Sequence, residues 1–533
     1  RSVEVADGRS GLERARRMSH GEQLSRVARR TPDGEALRFE GCSRSYGELD
    51  DRVGRLASAL RARGVGSGDR VATFMTNRLE LVESYLAAGR LGAICVPVNF
   101  RLVATEIGYI LQDSGARVLI VDAGLAAVAH EARNRATGIR SCLVTDGDPA
   151  VAGPGAELYD DVLEAAPPDE AWLDVPEDWP AFIMYTSGTT GRPKGAVLTH
   201  FNLLMNTMNM IAGMGFRDDD RRWLSGLPLF HIGGLNGILP YLLLGGTSVI
   251  LPSGQFDAEQ VVDLLERERI TACYFVPTQW QAICAVPGLA TRDLSALRRI
   301  SWGASVAPPS VLQAMAASFP GVPNYNAFGQ TEMSSVTCVL RGEDAVAKMG
   351  SVGTPIVNVE VRVVDEQMDD VAAGEVGEIV YRGPTVMQGY WNQPEATEEA
   401  FEGGWFHSGD LVRQDKDGFY YVVDRKKDLI ISGGENIYCA ELEAAIGAHP
   451  DVREVAVVGQ ADPKWVEVPM AVIVAVDAAA PPAEDEIIEW CRRRLASYKK
   501  PATVVCVDAL PRNASGKVMK TELRARFAPP VTP

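Results

Sequence analysis

Short apolar runs alternate with amphipathic segments through the first part of the chain. Residues 71–75, 93–98, 118–121, 181–184 and 273–276 are apolar and of strand length, while 80–91 carries apolar residues every three to four positions. That alternation predicts an α/β architecture with largely parallel sheets. Near residue 355 the pattern changes: 359–364 and 377–381 read as strands with no long helix between them, which predicts an antiparallel, barrel-like β section. The charged run Asp424-Arg425-Lys426-Lys427-Asp428 then separates two apolar stretches. Beyond it the spacing predicts a helix over 439–448, strands over 454–458 and 470–476, a helix over 484–495 and a last strand over 504–507. The expected organisation is a large α/β domain over 1–424 with two mostly parallel sheets, a hinge over 425–428, and a small mobile α+β domain over 429–533, about one hundred residues and of a size that folds alone.

Residues 223–256 contain no charged side chain and are long enough to cross a bilayer. Gly233, Gly234, Gly237, Pro240, Gly245 and Gly246 cut the stretch into short pieces, so it reads as a buried helix feeding a strand over 247–251.

At 533 residues the chain exceeds the size at which a single core keeps growing, in agreement with at least two domains. Its 46% hydrophobic and 23% charged residues are those of a globular protein. A net charge of −17 argues against a nucleic-acid partner, which would need a basic surface. The nine cysteines are scattered without a C-x-x-C pair, as expected of reduced core thiols in a cytoplasm and not of a zinc site. Residues 1–30 are charged and polar and do not resemble a signal peptide.

The most distinctive chemistry lies in Tyr185-Thr186-Ser187-Gly188-Thr189-Thr190-Gly191-Arg192-Pro193-Lys194-Gly195, directly after the apolar run 181–184. Its glycines let backbone N–H groups turn toward an anion, and its hydroxyls and Lys194 add donors and charge. The common NTPase loop requires G-x-x-x-x-G-K-[ST] leading into a helix. Here Pro193 precedes the lysine and Gly195 follows it, which reads as a mobile polyphosphate clamp instead.

This loop resembles the signature of the adenylate-forming superfamily of acyl- and aryl-CoA synthetases, luciferases and peptide-synthetase adenylation domains, and further motifs recur in order along nearly the whole chain. The resemblance implies ATP, Mg²⁺ and CoA as cofactors. It assigns Ser187, Gly188, Thr189, Thr190, Gly191 and Lys194 to the β- and γ-phosphates, and Thr186 and Glu332 to the metal. Asn326-Ala327-Phe328-Gly329-Gln330-Thr331-Glu332 is similar to the motif whose aromatic ring packs on adenine and whose Thr331 touches the α-phosphate; relatives carry Tyr where Phe328 stands. Gly303, Ala304 and Ser305 fall at an adenine contact, with Trp302 a departure that reads equally as a bulky ligand wall or a core residue. Asp410 and Arg425 match the ribose motif, and Lys517 matches the small-domain lysine that bridges attacking carboxylate and phosphate. Gly433 and Gly434 match the loop along which pantetheine approaches, with the hinge at Lys427. His231, in Pro228-Leu229-Phe230-His231, matches a residue bordering the acyl pocket and is expected to position substrate. Cys439 stands where Pro is usual and is expected to be silent; Val466 replaces a common Gly and is expected to bear on thiol access.

The activity so implied is an acid–thiol ligase, with carboxylic acid, ATP and coenzyme A as its partners. Residues 389–397 and 432–437 look most like bacterial fatty-acyl-CoA ligases, so a fatty acid is the expected substrate, with the glycine-rich region after His231 expected to line its pocket. Two alternatives stand beside it: an acyl-AMP ligase that loads a carrier protein, and a catalytically silent nucleotide-binding regulator. The expected state is a monomer or homodimer without a transmembrane span, peripheral membrane contact being left open.

Overall fold

The computed structural model of the chain describes residues 12–168, 173–186, 193–217, 220–304, 307–432, 435–513 and 517–528. Two large sheets dominate it. One has the order Gly389–Tyr390, Lys194–Thr199, Pro180–Thr186, Ile94–Pro97, Arg70–Phe74, Val118–Asp122, Ser141–Thr145, Ala156–Leu158. Its neighbours are parallel from Pro180–Thr186 to Ala156–Leu158, and Lys194–Thr199 and Gly389–Tyr390 extend the other edge antiparallel. The second runs Thr354–Pro355, Ser335–Leu340, Asn324–Gln330, Arg299–Gly303, Ala272–Tyr274, Arg222–Ser225, Thr247–Ile250, Glu35–Phe39, Cys42–Ser45. It is parallel in its centre and antiparallel at both edges. The expected α/β class with largely parallel sheets is therefore the one observed. All five residues of Val118–Asp122 are buried, as a strand covered on both faces must be. Parallel order also gathers strand carboxyl ends on one rim, the place where open α/β sheets take their ligands.

The uncharged stretch forms the strand Arg222–Ser225, the helix Ile232–Leu244 and the strand Thr247–Ile250. No helix among the described residues is long and apolar enough to cross a membrane. Its glycines face protein. A Cβ on Gly234 would lie 2.1 Å from the Pro228 carbonyl oxygen, and one on Gly237 would lie 2.7 Å from the Trp223 indole nitrogen. They permit close packing of the helix on the preceding segment. Trp302 is 4% exposed and packs with Phe275, Trp280 and Val311, so it is a core residue.

An antiparallel sheet of Glu360–Val364, Val376–Arg382, Phe406–Gln414 and Tyr420–Arg425 follows, its last strand ending in the charged run. Beyond that run, Val452–Asp462 and Val466–Ala475 form a long hairpin buried on both faces. Val457 joins Ile430, Cys439, Leu442 and Ile473 on one face, while Ala456 and Val458 join Val472, Leu510 and Leu523 on the other. Strand alternation thus gives this region two apolar clusters of its own. All nine cysteines are free thiols. Most are in the core, as expected, but Cys42 and Cys506 are exposed. The buried Cys439 thiol donates to the Asp428 carbonyl at 3.0 Å.

Val466 sits at the hairpin turn with φ 73° and 73% exposure. The turn is pinned by Asp462 Oδ1, which accepts from the Lys464 and Trp465 amides, each at 2.8 Å. A β-branched residue in the left-handed region costs on the order of 1–3 kcal/mol. Val466→Gly is therefore expected to stabilise the small domain by about 1 kcal/mol, seen as a higher denaturant midpoint at unchanged slope.

Candidate active site

The clamp loop joins two antiparallel neighbours, Pro180–Thr186 and Lys194–Thr199, in which Thr186 and Lys194 are paired residues. Lys194 opens a strand and not a helix, the structural difference from the common NTPase loop. Ser187, Gly188, Thr189, Thr190 and Gly191 lie outside the described residues, as do Ser305, Gly433 and Gly434. The Thr186 hydroxyl lies 3.4 Å from Glu332 Oε1, joining a residue of the first sheet to one of the second. These are hard oxygen donors, and they fit a magnesium ion carried on a triphosphate.

Glu332 stands in the short turn Thr331–Met333 at the end of Asn324–Gln330. Its carbonyl accepts from the Met387 amide at 2.8 Å. The chain then reverses through Ser334 and Ser335, with φ of 59° and 113°. Gly329 is obligatory there, since a Cβ would lie 1.6 Å from the Ser335 carbonyl oxygen. Asn326 is buried and its amide donates to the Ser351 carbonyl at 2.9 Å, so its side chain serves the fold. Phe328 is half-buried at the edge of this hairpin and Thr331 is buried.

Gly303 and Ala304 leave the carboxyl end of Arg299–Gly303, Ala304 with φ 65°. A Cβ on Gly303 would lie 2.2 Å from the Ala327 carbonyl oxygen and 2.6 Å from the Tyr274 hydroxyl. That hydroxyl has no hydrogen-bond partner among the described residues, and burial pushes its pKa up. His231 caps the helix Ile232–Leu244, Nδ1 accepting from the Gly233 amide at 3.2 Å. Burial and the neighbouring Lys517 ammonium push it down to about 4, so it is neutral at physiological pH.

Asp410 and Arg425 are cross-strand partners on adjacent antiparallel strands, with Nε 2.5 Å from Oδ1. Asp410 is 2% exposed; burial raises its pKa while Arg425 and Lys517 oppose the rise. Next to it, Glu378 accepts from the Gly409 amide at 2.9 Å and from Lys426 Nζ at 3.1 Å, and lies 3.1 Å from His407 Nδ1. Burial works against this carboxylate, but those partners outweigh it and hold its pKa below the usual range. Motif spacing alone missed Glu378. Its signal was available: a carboxylate inside the apolar run 377–381 must be paired.

Lys517 comes from the small domain into the same crevice. The Asn513 amide donates to the Lys517 carbonyl at 2.8 Å, and the Lys517 amide to Asn513 Oδ1 at 2.9 Å, a clasp that presents the lysine. Its side chain is exposed, yet protein from both domains crowds it. That crowding, with Arg425 and Lys427 nearby, depresses the ammonium to about 8, against the pull of Asp410 and Glu332.

A family profile for the AMP-binding enzymes matches residues 24–391, and one for the C-terminal domain of the same enzymes matches 441–517. The chain belongs to the AMP-binding enzyme family. It is an AMP-forming acid–thiol ligase. Feruloyl-CoA synthase of Amycolatopsis sp is 43% identical over 94% of this chain and 98% of its own length. Long-chain-fatty-acid–CoA ligase FadD13 of Mycobacterium tuberculosis is 37% identical over 91% and 93%. Among solved structures, o-succinylbenzoate CoA synthetase of Bacillus subtilis with its acyl-adenylate OSB-AMP superposes with a TM-score of 0.83 at 33% identity, covering 94% of this chain and 97% of that one.

An ammonium depressed to about 8 is lost as pH rises through that value. The kcat/KM of adenylate formation, which reports the free enzyme, is expected to fall with an apparent pKa at or somewhat above 8, solvent access limiting the depression. Pyrophosphate exchange across roughly pH 6–10 checks this. Lys517→Arg, whose cation does not titrate, is expected to remove that limb.

Proposed function

We propose that this ligase activates an aromatic carboxylic acid, and that its two half-reactions use opposite faces of the small domain. ATP, Mg²⁺ and CoA are the cofactors of the reaction. In the first half-reaction the carboxylate oxygen attacks the α-phosphorus and pyrophosphate leaves. Ser187 to Gly191 and Lys194 hold the β- and γ-phosphates, and Thr331 the α-phosphate. Thr186 and Glu332 hold the metal, which when bound offsets the charge building on the phosphoryl oxygens. Phe328 stacks on adenine, with Gly303, Ala304, Ser305, Asn326, Ala327 and Gly329 forming the surrounding backbone cradle. Asp410 accepts from the ribose hydroxyls, with Arg425 beside it. Lys517 draws carboxylate and phosphate together. In the second half-reaction the CoA thiol attacks the acyl carbonyl and AMP departs, pantetheine approaching along Gly433 and Gly434 after rotation at Lys427.

The observation that carries the aromatic reading is the Tyr274 hydroxyl, half-buried beside Gly303 at the carboxyl end of its strand and unpartnered among the described residues. A half-buried phenol without a protein partner suits a polar ring substituent and gains nothing from an alkyl chain. The 43% identity to feruloyl-CoA synthase supports the same choice. The fatty-acid reading is supported by the 37% identity to FadD13 and by the resemblance of residues 389–397 and 432–437. AMP release with CoA, measured against ferulate, unsubstituted cinnamate and alkanoates graded by length, is expected to favour ferulate. Tyr274→Phe is expected to lower kcat/KM for ferulate about tenfold and leave cinnamate nearly unchanged; a preference for alkanoates would reverse the reading.

The division of labour has its own test. Lys517→Ala is expected to abolish adenylate formation while largely sparing thioester formation from supplied acyl-AMP. Lys427→Pro, which fixes φ at the hinge, is expected to harm the thioester step more than the first. Rapid-quench measurement of each half-reaction reads both.

A further inference from the structure

Tyr390 touches two parts of the phosphate site at once. It lies on the two-residue strand Gly389–Tyr390 and pairs with Ala196 of the strand Lys194–Thr199. Lys194 is two positions from that partner, so lysine and tyrosine are diagonal neighbours on one sheet face. The ammonium sits 5.2 Å from the ring centroid, within cation–π range. The phenol reaches the other way, to the second large sheet, and donates to Glu332 Oε1 at 3.1 Å. The Thr186 hydroxyl falls on the same oxygen, and among the described residues no donor reaches Oε2.

The backbone around the tyrosine is fixed. Its amide donates to Thr397 Oγ1 at 2.9 Å, the Trp391 amide to the Gly195 carbonyl at 2.7 Å, and the Trp391 indole to the Asp113 carbonyl at 3.1 Å. Gly389 has φ 148°, and a Cβ there would lie 2.7 Å from Thr397 Cγ2, so the strand sits this close only with glycine. A ring so held has little freedom to leave either contact.

We propose that Tyr390 is a positioning residue for adenylate formation: its ring parks the Lys194 ammonium until phosphate arrives, and its hydroxyl pins one oxygen of Glu332, leaving the other for the divalent cation. The proposal rests on Glu332 as the metal carboxylate. The two functions separate chemically, since phenylalanine keeps the ring and loses only the hydroxyl.

Two binding readouts test this without turnover. Electron paramagnetic resonance follows Mn²⁺ bound in the presence of the α,β-methylene analogue of ATP. Tyr390→Phe is expected to weaken Mn²⁺ about tenfold, the scale of a lost hydrogen bond to a charged group. In nucleotide-free enzyme, labelling of Lys194 by an amine reagent, read by mass spectrometry, is expected to be unchanged in Tyr390→Phe and about threefold faster in Tyr390→Leu. Wild-type Mn²⁺ affinity in Tyr390→Phe, or wild-type labelling in Tyr390→Leu, overturns the corresponding role. Glu332→Gln, measured alongside, is expected to abolish Mn²⁺ binding; if it does not, the metal assignment fails and this proposal fails with it.

Discussion

An unbalanced set of charges governs the crevice between the two domains. Lys517, Arg425 and Lys427 gather around Asp410 and Glu332, with Lys194 beside Glu332's tyrosine partner. Asp410 is buried and forms a short ion pair with Arg425. A buried carboxylate must be paired, and the cations around this one outnumber the carboxylates they face. What would complete the set is a polyanion. In a chain whose formal charge is −17 this local positive excess is a property of placement.

The rest of the architecture is the means of assembling that set. Parallel strands bring Gly303, Ala304 and the end of Asn324–Gln330 to one rim of the second sheet. An antiparallel pair brings Thr186 and Lys194 to the first. A second antiparallel pair places Asp410 opposite Arg425, and the next residues are the charged run that leads to the small domain. Lys517 is delivered on a loop closed by its own reciprocal bonds to Asn513, which fixes the lysine relative to the small domain and leaves its position in the crevice to the orientation of that domain. A cation presented this way can be withdrawn as a unit. That is the physical basis for proposing that one site serves two reactions.

Choice of acid depends on finer features. Gly234 and Gly237 lie against the Pro228 backbone and the Trp223 indole, so they provide close packing of a helix. His231 is held neutral and spends Nδ1 on its own helix cap, in keeping with a positioning role over proton transfer. The polar feature left over at this rim is the Tyr274 hydroxyl, lying against a glycine that cannot be replaced.

The sequence by itself determined the class of fold, the family signature over 185–195 and the residues that gather at the crevice. Apolar periodicity reports burial directly, and Asp410, Arg425, Lys194 and Lys517 stand in motifs that resemble those of the adenylate-forming enzymes. It also ruled out a membrane-crossing helix over 223–256, because glycine and proline interrupt any helix of that length. Only the tertiary structure decided the fate of Trp302, the purpose of Gly234 and Gly237, the pairing of Glu378, and the double contact of Tyr390. Each of these depends on which atoms from distant strands lie within a few ångströms. A linear pattern records that a residue is apolar, small or charged, but the partner that gives it a function is chosen by packing.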